Sequence, residues 1–150
     1  MSLGGGGGQL EQLSQQIQAI EQEKETLQED IEELQAEQSE IDEAIEGLRT
    51  LESGSIVQVP LGGDAYVRAE VQDIDEVIVS LGGGYAAEQG REAAIESLEG
   101  KKELLDDRIE DVEETIDELD QESEQLEQQA QQAQQQMLQQ MQQQQQQPDE

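Results

Sequence analysis

Cysteine, histidine, phenylalanine and tryptophan are all missing from the 150 residues, and tyrosine occurs twice. Without cysteine no disulfide framework can form, which fits a reducing compartment. Without histidine or cysteine, the usual nucleophile–base pairs and zinc-ligand sets cannot be assembled. With almost no aromatic residues, aliphatic side chains must do the burying, so a compact core of ordinary size is not expected. No apolar run approaches the ~18 residues that span a bilayer. The start, "MSLGGGGGQL", has neither a basic region nor an apolar stretch and does not read as a signal peptide, so a cytoplasmic protein is expected.

Positive charge is also scarce. Seven Lys and Arg stand against 38 Asp and Glu, for a formal net charge of -31. Such a surface repels nucleic acid and anionic membranes, and neither is expected as a partner. The acidity falls on a regularly patterned chain, which argues against a disordered solvating segment. Adaptation to high salt accounts for it better, because screening lengths shrink to roughly 3 Å at 1 M and acidic faces cease to repel.

What is present is pattern. Residues 1–8 are a glycine-rich leader expected to be disordered. Residues 9–52 keep a 3-4 alternation. One seam position holds Leu10, Ile17, Lys24, Ile31, Gln38 and Ile45; the other holds Leu13, Ile20, Leu27, Leu34, Ile41 and Leu48. Six unbroken heptads predict a coiled coil. Residues 89–137 repeat the pattern, with Ile95, Lys102, Ile109, Ile116, Ser123, Ala130 and Met137 against Leu98, Leu105, Val112, Leu119, Leu126 and Ala133. Matching lengths predict an antiparallel hairpin of helices. Setting Leu48 beside Ile95 places Gln38 by Leu105, Lys24 by Leu119, Leu13 by Ala130 and Leu10 by Ala133. Each polar seam residue then meets an aliphatic one. The two seam lysines read as register determinants whose heads reach out to water. Residues 138–150 form a glutamine-rich tail expected to be frayed or disordered.

Residues 53–88 read as two β-hairpins, with "LGGD" and "GGG" as their loops. Two small hairpins cannot satisfy their own edges, so partner strands from other chains are expected. The apolar residues assigned to that interface are Ile56, Val57, Val59, Leu61, Tyr66, Val67, Val71, Val77, Ile78, Val79 and Leu81. The class is therefore α+β: a long antiparallel coiled-coil hairpin with two β-hairpins between its helices, the hairpins completed by other chains of an oligomer; the resemblance given below implies that they form part of an oligomeric β-barrel platform. The far end of the coiled coil is the other candidate surface. There Leu10, Leu13 and Ile17 oppose Leu126, Ala130 and Ala133, with Met137, Leu138 and Met141 beyond. Alanine is expected to leave leucine incompletely covered, and methionine suits adaptable contacts.

The carboxylate runs "EDIEEL" and "DDRIEDVEETIDELD" lack EF-hand spacing, and the glycine runs lack the Lys-Ser/Thr of a phosphate loop. Neither a metal, a cofactor nor a catalytic residue is assigned. The tract "VIVSLGGGYAAEQGREAAIESLEGKKELL", with "EAAIE" at Glu92–Glu96, and the hairpin "VQVPLGGDAYVRAEV" resemble the alpha-type subunits of the archaeal prefoldin family, over about residues 10 to 137. The resemblance implies an ATP-independent chaperone in which two alpha-type and four beta-type subunits build a double β-barrel platform. It further implies arm tips that hold non-native proteins and pass them to a group II chaperonin. A non-catalytic scaffold holding fixed partners is the alternative, and an enzyme is remote.

Overall fold

The computed structural model describes residues 3–146. Helix α1 spans Leu3–Thr50, and helix α2 spans Arg91–Gln146. Between them lie strands β1 (Ile56–Gly62), β2 (Ala65–Glu70), β3 (Val77–Gly82) and β4 (Tyr85–Gln89). The fold is α+β, two long helices with two small antiparallel hairpins between them. The chain divides into two compact units. One comprises the stretches up to Glu32 and from Glu110 onward; the other is Glu33–Ile109.

The seam residues behave as the heptads predict. From Gly8 to Thr50 every seam position is buried or half-buried, and Gly47 alone is shielded off the seam. In α2 the seam positions from Ile95 to Met137 are all shielded as well. Burying an aliphatic side chain stabilises by roughly 1.5–3 kcal/mol, so this stripe is the principal source of stability for both helices. Within Glu33–Ile109 the helices run antiparallel, because cross-helix bonds descend along α2 as they climb α1. Gln38 donates to the Asp106 carboxylate and to the Lys102 carbonyl, Lys102 Nζ lies 2.7 Å from Asp42 Oδ1, and Arg49 Nη2 donates to Glu99 Oε1 at 3.4 Å.

Two helix boundaries differ from the sequence-based expectation. Helix α1 already includes the glycines from Gly4 to Gly8, and α2 continues through the glutamine-rich stretch to Gln146. Glycine costs up to about 1 kcal/mol against alanine, but an established helix extends without a new nucleus. Glutamine is a good helix former, so propagation from the seam carries α2 outward. Residues 1–2 and 147–150 of the expected leader and tail lie outside the described residues.

Each hairpin turns on two residues with positive φ: Gly63 and Asp64 (59° and 61°), and Gly83 and Gly84 (62° and 81°). Positive φ at both central positions matches the right-handed twist of the strands, and glycine adopts it without strain. The three glycines Gly82–Gly84 are therefore turn chemistry. Just before each turn the pairing slips, at Pro60/Gly62 and Ser80/Gly82, so Leu61 and Leu81 leave the simple alternation.

Polar contacts tie the hairpins to the helix ends. The Gly54 amide donates to Val71 O at 2.7 Å and the Val71 amide to Ser55 O at 2.8 Å, extending the first hairpin toward α1. Ser53 Oγ accepts the Ile74 amide at 3.1 Å. Arg91 Nη2 donates to Leu51 O at 2.6 Å, so the first residue of α2 satisfies a carbonyl just past α1.

Candidate functional site

The first candidate surface is the pair of hairpins in Glu33–Ile109. In β1–β2 the register pairs Val59 with Val67 and Val57 with Ala69, which places these four on one face. In the single chain Val59 and Val67 remain 40% and 45% exposed. On the opposite face Ile56 and Tyr66 are also exposed, as is Leu61 beside the turn. Val71 is half-buried. The first hairpin thus carries more apolar surface than its own chain covers.

The second hairpin is partly satisfied within its chain. Val79 is only 4% exposed and Val77 is half-buried. Both line a cleft of about 380 Å³ with Ala44, Gly47, Leu48 and Leu98. Val79 therefore belongs to the chain's own core, whereas Ile78 and Leu81 stay exposed. Each sheet has two strands, so all four strands are edges with unpaired outer hydrogen-bonding groups. Two exposed apolar residues escaped the sequence reading. Tyr85 stands at the start of β4, where strand alternation alone could have flagged it; Leu104 sits off the seam in α2, and its heptad position was the available signal.

The second candidate surface lies in the unit formed by the stretches up to Glu32 and from Glu110. Its register is marked by an ion pair between Lys24 and Asp120, the residue following the expected neighbour Leu119. Lys102 likewise meets Asp42, next after Ile41, and Gln38 meets Asp106, next after Leu105. A long polar side chain at the seam cannot leave its head among aliphatics, so it runs to the flank and takes a carboxylate there. The hydrogen bond to Asp120 holds the Lys24 ammonium above its ordinary value of 10.5, against the opposing pull of burial. The bond to Asp42 does the same for Lys102.

A raised lysine pKa stabilises the folded chain fully below the unfolded value, and this contribution disappears as pH rises through the folded one. Melting temperature should therefore begin to fall above pH 10.5, and Lys24→Gln should flatten part of that decline. Thermal melts across the alkaline range, wild type beside variant, check this; parallel curves would contradict it.

At the far end of the same unit, Leu13 is buried, at 8% exposure, despite the small alanine expected opposite it. That departs from the expectation of an incompletely covered leucine. Leu10, Ile17, Leu126, Ala130, Ala133 and Met137 are half-buried. The apolar surface that does reach solvent is Leu138 and Met141, 56% and 57% exposed and three residues apart on one face of α2. No helix among the described residues is long and apolar enough to cross a membrane, and no cluster of His, Cys, Asp and Glu there could hold a metal.

Two long helices flanking two hairpins, with free strand edges and exposed apolar side chains on the hairpins, define the fold class. The prefoldin family model, described as prefoldin subunit, matches residues 20–147. The chain belongs to that family, a non-enzymatic family of chaperone subunits whose alpha-type members form oligomeric complexes. Prefoldin subunit alpha of Haloarcula marismortui is 60% identical over 69% of this chain and 67% of its own. The Halobacterium salinarum protein of the same name is 65% identical, over 74% and 73%. In a cryo-EM structure of filamentous PFD from Methanocaldococcus jannaschii, one chain superposes with a TM-score of 0.66 at 29% identity. The match covers 75% of this chain and 96% of that one.

Proposed function

We propose that this chain is the alpha-type subunit of a cytoplasmic, ATP-independent holdase, which captures non-native proteins at its coiled-coil ends and hands them to a group II chaperonin. Its assembly partners are beta-type subunits, two alpha to four beta, joined through the exposed faces and edges of the hairpins. The chain performs no chemistry of its own. Weak contacts repeated on several subunits of one platform raise the effective concentration of binding sites, so a client is held by many contacts at once.

The observation that carries this reading is the pair Leu138 and Met141. Both are exposed on a helical stretch whose other residues are nearly all glutamine. Flexible aliphatic and thioether side chains accommodate many apolar partners without demanding one shape. Replacing both with glutamine should leave helicity and assembly mass unchanged. It should also cut suppression of aggregation several-fold for two unrelated denatured proteins. Full protection by the double variant would remove this surface as the client site, and loss for one protein only would favour a scaffold with a fixed partner.

A further inference from the structure

In a chain of net charge -31, charged side chains are missing from two hairpin stretches, 53–63 and 77–87, and from the outer part of each helix. On α1 the acids stop at Glu11, and from Leu10 back to Met1 there are none. On α2 they stop at Glu127, and residues 128–148 are uncharged. The register marked by Lys24 and Asp120 sets Glu11 level with about Gln132, so both helices lose charge at nearly the same height within their unit. Glutamine occupies most of the exposed positions there, including Gln132, Gln136 and Gln139. Glutamine and glutamate have similar helix propensity, so helix formation does not require the choice.

We infer that this charge-free end lets the chain bind the apolar side chains of net-acidic non-native polypeptides. The inference rests on the proposed holdase reading and adds the class of client. A basic unfolded chain would be drawn to the acidic helices anywhere along their length and needs no neutral patch. Where salt leaves the charges unscreened, an acidic one is repelled along the acidic helices, and on the helices the charge is missing where Leu138 and Met141 are exposed; the uncharged hairpin stretches are assigned to assembly in the reading this rests on. Substituting glutamine for glutamate removes the repulsion and keeps the helix.

The test replaces Gln132, Gln136 and Gln139 with glutamate in one variant and with lysine in another, each assembled with its partner subunits. Helicity and assembly mass certify the fold. Binding is measured for reduced α-lactalbumin as the acidic probe and reduced lysozyme as the basic one, at the lowest ionic strength that preserves full helicity. The glutamate variant should bind reduced α-lactalbumin several-fold more weakly, with recovery as salt is raised, while reduced lysozyme binds at least as well as before. The lysine variant should strengthen α-lactalbumin binding. Unchanged α-lactalbumin binding, or equal loss of both probes, overturns the inference. The Leu138→Gln/Met141→Gln pair tests the holdase reading separately, because it should weaken both probes alike.

Discussion

Val59→Asp combined with Val67→Asp should abolish assembly while leaving the helices intact. The two residues are register partners on the same face of the first hairpin, and each is already close to half exposed in the single chain. In an isolated chain the change therefore sacrifices little burial. Its direct cost is two like charges opposite each other across a strand pair, about 0.2–1 kcal/mol. In the proposed assembly a neighbouring subunit covers that face, and each carboxylate would then lose its water without a partner, at a cost of several kcal/mol per ion. That difference is enough to dissolve a modest interface. Light scattering of the variant mixed with beta-type subunits should report single chains, and far-UV circular dichroism should report undiminished helicity. Val59→Ile, which enlarges the apolar face, should assemble normally. Assembly of the double aspartate variant would shift the interface to the face carrying Ile56 and Tyr66.

The parts of this molecule legible in the sequence are those governed by short-range periodicity. The heptads located nearly all shielded residues of α1, with Gly47 as the exception, because facing side chains in a coiled coil recur at fixed intervals. The glycine turns were legible because positive φ is a local property. The polar seam residues Lys24, Lys102 and Gln38 meet aspartates one residue beyond the neighbours that the heptads assign them, a step set by side-chain reach and not by periodicity. Features that depend on distant parts of the chain were not legible. Val79 looked like an interface residue, yet the helices of its own chain cover it. The capping of Leu51 O by Arg91 joins residues forty apart and left no pattern to read. Helix ends are poorly legible because composition reports the preference of each residue, while an established helix propagates past weak positions, as α1 does through Gly4–Gly8 and α2 through the glutamines to Gln146.

Salt should act on this chain more strongly than on an ordinary coiled coil. Both helices are acidic along most of their length, with runs such as "DDRIEDVEETIDELD" on α2, and few cations stand between them. The ion pairs among the described residues, Lys24 with Asp120 and Glu21, Lys102 with Asp42 and Arg49 with Glu99, answer only a small share of the carboxylates. At 0.01 M salt the screening length is about 30 Å, so each carboxylate feels charge over many turns of both helices; at 1 M it is about 3 Å, shorter than the spacing of most neighbours. Relief of a few kcal/mol of repulsion corresponds to a melting shift on the order of 10 °C for a chain of this size. Helicity followed by circular dichroism should therefore climb steeply between low and molar salt, and the melting temperature should climb with it. The attractive pairs are weakened by the same screening, but they are outnumbered, so repulsion decides the sign. The uncharged end beyond Glu11 and Glu127 gains nothing from salt, and amide exchange resolved along α2 should show protection rising between Glu92 and Glu127 and staying flat through the glutamines. A uniform rise along the whole helix would mean that salt acts through burial of apolar surface instead of charge, and a flat response everywhere would remove high-salt adaptation as the reason for the acidity.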